Sequence, residues 1–306
     1  MAPELREVVL REHQARPCPD LRPDQARTLR QRFGNQLTVS RAFDGRGYEL
    51  AARGYVGVII LPDLVVRIEP KVPVANLFHM LALAYGLDVR LQAEETTLDA
   101  GDSLLEFAAK VLVGQVDQLA RRGIARGYVD IDEDAAFVRG RLLLAEQTRR
   151  AAVVPTRFHQ RANEFTADLP ENRILRGTLA LLLRYYYRKT TLPGLLRRAL
   201  TAFAEVTPVA VGPADCDRVI YPRLNARYRP AIGLARLLLQ FLSPENLAGQ
   251  APFPAFLVPM HQVFEAFVAT LLPAQWAGRP RLSAQPQHHY WLDHNERLGG
   301  PPDVLG

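Results

Sequence analysis

The sequence predicts an α+β protein with its strands and helices segregated along the chain rather than alternating. Three observations lead there. Between Leu37 and Lys71, β-branched and polar residues alternate between turn signals, the pattern of short antiparallel strands. From residue 99 to 250, apolar residues recur at three-and-four spacing, the pattern of packed helices, with one β-hairpin among them. The stretch 251–306 opens on an amphipathic helix running from Phe256 to Trp276, with Glu265 as a buried-side glutamate beside Phe264 and Phe267, and then becomes strand-like, ending in Pro302-Asp303-Val304-Leu305. Three parts follow: a β-rich domain over 1–98, a mainly helical middle over 99–250, and a C-terminal stretch over 251–306.

Residues 1–36 read as a polar, proline-punctuated lead with one short helix, DLRPDQARTLRQRFGN, capped by Asp20 or Asp24 and ended by Gly34. In the strand region, turns fall at Asp44-Gly45, Arg53-Gly54 and Pro62-Asp63. Pro70 cannot donate to a ladder, so the last strand stops at Glu69. A helix follows in ANLFHMLALAYG, with Leu77, Met80, Leu81 and Ala84 on one face. A stronger one lies in LLEFAAKVLVGQVDQLARRG, capped by Asp102 or Ser103 and stopped by Gly123. GYVDIDEDAAFVRGRLLL reads as a hairpin turning at Glu133-Asp134. Its acids lack the glycine and distant glutamate of a calcium loop, so a solvated turn is favoured over a metal site. Three helices then follow, from Asn172, Leu192 and Arg229. The run Tyr185-Tyr186-Tyr187 could stack on unpaired bases, but adjacent helical residues diverge by about 100°, so core packing is favoured.

Charge narrows the function classes. The formal net charge is +6, yet Arg139–Arg236 alone holds 18 Lys and Arg against 7 Asp and Glu. A basic middle suits a polyanion, or a set of helices with solvated arginine faces. No run approaches the roughly 18 apolar residues that a bilayer requires, and the N-terminus lacks a signal-peptide pattern. Two cysteines, Cys18 and Cys216, suggest neither a disulfide framework nor a zinc site. A cytoplasmic protein without a membrane partner is expected. No phosphate loop is present in the sequence: the glycines at 45 and 47 are not followed by GK[ST].

Seven phrases, taken in order, resemble the McrC family, the partner subunit of McrBC modification-dependent restriction systems. They are GYVGVIILPDLVVRIEPKV, FHMLALAYG, LLEFAAKVLVGQVDQLARRGIARGYV, VRGRLLLAEQ, DLPENRILRGTL, VFEAFV and PPDV. No one of them is decisive; their order is. The resemblance implies a β-rich, projecting element that engages and stimulates an AAA+ GTPase ring of the McrB type, with the strands of 37–71 as the intact docking part. Arg67 and Lys71, at the end of that run, would be its partner-binding residues. It also implies that 251–306 begins a PD-(D/E)xK restriction-endonuclease-like α/β domain, acting on DNA with modified cytosine.

By matching position, Asp303 resembles the aspartate of the PD half-motif and Glu265 the helix glutamate, and the two would be catalytic residues and ligands of Mg²⁺. Hydrolysis of a phosphodiester needs an oriented water and neutralised charge, which two or three carboxylates around Mg²⁺ and a lysine supply. The (D/E)xK half has no counterpart, and no lysine follows Lys189. The chain as given is therefore expected to be a truncated, catalytically incomplete nuclease subunit. The alternative reading is a non-catalytic, basic helical nucleic-acid-binding or ring-regulatory protein.

Overall fold

The computed structural model describes residues 6–43, 47–87, 103–149, 157–185, 187–188, 191–223, 225–242 and 253–275, with four short strands at 283–284, 290–291, 299–300 and 304–305. The architecture is α+β, as the sequence predicts. Two strands, β1 (Arg6–Arg11) and β2 (Ala15–Cys18), precede helix α1 (Pro23–Phe33). Strands β3 (Leu37–Arg41), β4 (Tyr48–Ala52), β5 (Tyr55–Leu61) and β6 (Leu64–Glu69) follow. They form two sheets rather than one series. β3 and β2 flank β4 in an antiparallel sheet, whereas β5 and β6 sit centrally in a four-stranded sheet ordered β1-β6-β5-β10.

Two of those strands are missed by the sequence reading. β1 runs parallel to β6, in register from Arg6 opposite Leu64 to Arg11 opposite Glu69. A parallel partner sixty residues away leaves no local turn signal to betray it. The other outer strand, β10 (Ala255–Pro259), pairs antiparallel with β5. The stretch expected to open a third domain therefore begins as the edge of the first sheet. Gly57 makes that pairing possible. Its φ is +144°, and a Cβ there would overlap the Phe256 carbonyl. Gly57→Ala is expected to cost about 1–3 kcal/mol through backbone strain, read as a lowered thermal midpoint; an unchanged midpoint would contradict the tight β5–β10 approach.

The pleat of the four-stranded sheet builds two cores. Val56, Val58, Ile60 and Val65 point into a large helical core, while Ile59, Leu61, Leu64, Val66 and Ile68 point into a smaller one under α1, β3 and β4. Period-two alternation with both faces covered gives strands that are apolar at nearly every position. The helical core is supplied by α2 (Val74–Ala84), α3 (Leu104–Arg121), α5 (Pro170–Leu182), α6 (Thr191–Thr201), α7 (Pro213–Asp217) and α8 (Arg229–Phe241). Ser103 caps α3 in a capping box with Glu106, and Gly123 follows it at φ +78°, as the sequence indicates. At α1 the expected acidic cap is absent: Arg22 stands at the N-cap, Pro23 opens the first turn, and Asp24 lies inside it.

The tyrosine run behaves as core. Tyr185 and Tyr187 are buried, their hydroxyls donating to the Ala255 and Leu182 carbonyls; Tyr186 lies outside the described residues. Burying both flanking rings takes the chain out of the helix after Leu182, earlier than its periodicity suggests. Among the described residues no helix is long and apolar enough to cross a membrane.

Candidate functional site

A third sheet stands apart from both cores. β7 (Gly127–Ala135) pairs with β9 (Phe158–Thr166) along its whole length, and the short β8 (Arg141–Leu142) pairs with the other edge of β9. The predicted turn at Glu133-Asp134 does not form; the strand runs straight through it. Cross-strand pairing explains why. Arg161 holds Asp132 at 2.7 Å and His159 Nδ1 holds Asp134 at 2.8 Å, while Arg139 clamps Glu133 at 2.6 Å. Asp132 and Asp134 thus face Arg161 and His159 directly across the strands, and Arg139 clamps Glu133 from the following loop, which favours strand over turn and engages these three carboxylates.

No residue of β7 is buried, and the short helix α4 (Leu144–Arg149) packs on β9. Tyr128 and Phe165 pair directly across the strands with ring centroids 5.1 Å apart, and both are largely exposed. At the other end Phe137 is 77 % exposed and Val138 50 %. Gln160, fully buried, holds that tip. Its side-chain oxygen accepts from the amides of Arg139 and Gly140, and its amide donates to the Phe137 carbonyl. Gly140 is required because a Cβ would collide with the Arg161 carbonyl. The fold therefore presents two apolar side chains on a deliberately fastened loop.

In the strands of 37–71, by contrast, most apolar side chains face the two cores, although Ser40, Arg41 and Phe43 at the end of β3 are exposed. Arg67 is not a surface residue: only 2 % of its side chain is exposed. It projects from β6 toward the helices, donates to Glu7 at 2.6 Å, and lies 3.6 Å from Glu106, itself 1 % exposed. Arg188 completes the set. Its guanidinium lies 2.9 Å from Glu7, and its backbone amide donates to Glu106 at 2.7 Å. Burial pushes the Glu7 carboxyl up, but hydrogen bonds from Arg67 and Arg188 outweigh it and hold the pKa below the ordinary value. A depressed carboxylate stabilises the fold above its unfolded pKa and loses that contribution as pH falls through the folded one. Wild type and Glu7→Gln are thus expected to differ in stability at neutral pH and to converge below about pH 4, the usual glutamate range; a gap that persists in acid would refute this. Lys71 is exposed, beyond the strand end.

The predicted carboxylates fare differently. Glu265 lies on α9 (Met260–Gln275), on its exposed side. α9 turns Val263 toward the interior against α2, and Glu265, about 200° further round, faces out with Phe264. The buried-side glutamate expected from the sequence is therefore corrected. Asp303 lies outside the described residues. The strand that follows it, β14 (Val304–Leu305), pairs with β11 (Ser283–Ala284), and β11 touches α9. Among the described residues no three His, Cys, Asp or Glu side chains group to hold a metal. One exposed carboxylate, Glu265, does not by itself hold Mg²⁺, which takes several oxygen ligands.

The sequence profile of the McrBC 5-methylcytosine restriction system component family matches residues 50–305. The chain belongs to that family. A curated McrBC relative, the type IV methyl-directed restriction enzyme EcoKMcrBC of Escherichia coli (strain K12), is 27 % identical over 188 residues. That match takes in 61 % of this chain and about half of the relative, 54 % of its length. Two solved McrBC assemblies of Thermococcus gammatolerans share the fold. A chain of the McrBC complex superposes with TM-score 0.60 at 22 % identity, covering 90 % of this chain and 89 % of that one. A chain of the half-complex of McrB AAA+ hexamers with bound McrC gives TM-score 0.64 at 21 % identity, covering 97 % and 76 %. Within the described residues, the exposed apolar side chains Tyr128, Phe137, Val138 and Phe165 lie on the 127–166 sheet, and Arg67 of the 37–71 strands is buried.

Proposed function

We propose that this chain is the McrC-type subunit of a modification-dependent restriction complex, and that it docks on an AAA+ GTPase ring of the McrB type through the β7–β9–β8 sheet and stimulates GTP hydrolysis there. One observation carries the reading: a nine-residue strand pair with exposed aromatic and apolar side chains, projecting from a fold similar to a chain found with McrB AAA+ hexamers and McrC. Small sheets need an apolar face covered to be stable alone. This one leaves Tyr128, Phe137, Val138 and Phe165 uncovered, which is the economy of a surface completed by a partner. The test is GTP turnover by the neighbouring AAA+ protein, with and without this 306-residue chain. Folded protein that leaves turnover unchanged would refute it.

In the same complex, we infer that Glu265 and Asp303 belong to the site where DNA carrying modified cytosine is cut, in a Mg²⁺-dependent PD-(D/E)xK domain. The support is that both residues fall within the stretch matched by the family and that α9 touches β11, the partner of the strand following Asp303. In a complex of this chain with an McrB-type ring, Asp303→Ala is expected to lower Mg²⁺-dependent cleavage at least about a hundredfold while leaving GTP turnover intact. Undiminished cleavage would remove Asp303 from the site.

A further inference from the structure

One side of the helical layer gathers arginines that the fold does not neutralise. α3 closes on Arg121 and Arg122, both exposed. Arg227, in a single 3-10 turn at Ala226–Tyr228, reaches across and donates to the Gly123 carbonyl at 2.7 Å, beside that of Arg122. This bond fastens the segment 220–229 against the end of α3. Exposed Arg223 sits in the turn closed by the Asn225 amide on the Pro222 carbonyl, and exposed Arg229 opens α8. The Arg229 guanidinium lies 5.1 Å from the Tyr221 ring centroid, and neighbouring Ile220 is 83 % exposed.

Most acids nearby are engaged elsewhere, the exception being Asp117, one helical turn before Arg121 on α3. Glu205 pairs with Arg126 at 2.5 Å, Asp217 with Arg236 at 2.6 Å and Asp215 with Arg218 at 3.6 Å. Glu171 is buried and accepts from Asn225. Among the described residues, Arg121, Arg122, Arg223 and Arg229 have no ion pair of their own. The Arg227 bond draws together the segments that carry these four guanidinium groups, and positive charge gathered in this way is relieved by a polyanion.

We propose that this face, Arg121, Arg122, Arg223 and Arg229 with the Tyr221 ring beneath, binds the phosphate backbone of duplex DNA. Guanidinium forks match phosphate oxygens bidentately, and stacking on Tyr221 fixes the plane of one fork before contact. Nothing in the set reads bases, so binding is independent of sequence and driven by counterion release. The four arginines belong to α3, the 220–229 segment and α8, and none is a residue of the β7–β9–β8 sheet, whose first strand begins at Gly127. The face therefore stands whether or not that sheet docks on a ring.

The experiment is fluorescence anisotropy of a labelled 20-bp duplex of arbitrary sequence, titrated with the whole chain across a range of KCl. The variant joins Arg121→Ser, Arg122→Ser, Arg223→Ser and Arg229→Ser. Its control carries the same charge loss on the far side of the first sheet: Arg11→Ser, Arg27→Ser, Arg41→Ser and Arg53→Ser. Circular dichroism confirms that both remain folded. The logarithmic salt slope of the wild type is expected to exceed that of the variant by about 3 to 4, since each phosphate neutralised contributes about 0.9. Binding at about 0.1 M salt should fall at least tenfold, with the control close to wild type. No binding by the wild type, an equal loss in the control, or an unchanged slope in the variant would each overturn the proposal. Polyglutamate competing as well as unlabelled duplex would assign the face to an acidic protein instead. Retained stimulation of GTP turnover by the variant would show that any loss belongs to this face and not to ring docking.

Discussion

Replacing Arg67 with alanine is expected to lower the unfolding free energy by about 3–5 kcal/mol, the scale set by removing one partner of a buried ion pair. The side chain is 2 % exposed and stands between Glu7 and Glu106, so its loss leaves two carboxylates facing one remaining guanidinium, Arg188. The network ties β1, β6, the first turn of α3 and the segment after α5, four parts of the chain far apart in sequence. Denaturant unfolding measures the change. A second variant identifies its cause: Arg67→Met combined with Glu7→Gln and Glu106→Gln should recover most of the lost stability, because no buried charge is then unpaired. If Arg67→Ala costs under about 1 kcal/mol, the value of a surface pair, the network does not hold these elements together.

The second large effect concerns docking. Phe137→Ser with Val138→Ser is expected to leave the fold and its thermal midpoint nearly unchanged, because both side chains are already mostly in water. Stimulation of the ring's GTP turnover should fall at least tenfold if the tip is the anchor, as buried apolar anchors dominate interface energy. Gln160→Ala should reproduce part of that loss without touching an exposed residue, since it releases the Arg139 and Gly140 amides and the Phe137 carbonyl together. A double variant that stimulates fully would move docking elsewhere on the sheet, with the Tyr128–Phe165 pair next in line.

Much of the fold is legible in the chain because its signals are local. Alternation marks β3 to β6, Ser103 and Glu106 mark the start of α3, and Gly123 marks its end. The apolar spacing of α2, α3 and α8 names their buried faces. Errors arise where the deciding partner is remote. The acids of β7 look like a turn until Arg161, His159 and Arg139 are brought opposite them. Arg67 looks like a strand-end contact until Glu7, sixty residues earlier, is placed beside it. Glu265 looks inward-facing until α2 covers Val263 and leaves the opposite side of α9 open.

The sequence by itself determined family membership, the separation of strand-rich from helical regions, the main caps and stops, and the strongly basic middle. Each depends on residue type and spacing within a turn or two. Only the tertiary structure decided that β1 and β10 enclose β5 and β6 in one sheet, that Arg67 is buried while Tyr128, Phe137, Val138 and Phe165 are exposed, and which arginines lack carboxylates. The reason is physical: pairing in a parallel sheet, burial of a charge and neutralisation of a surface each depend on a neighbour that the chain reaches only by folding.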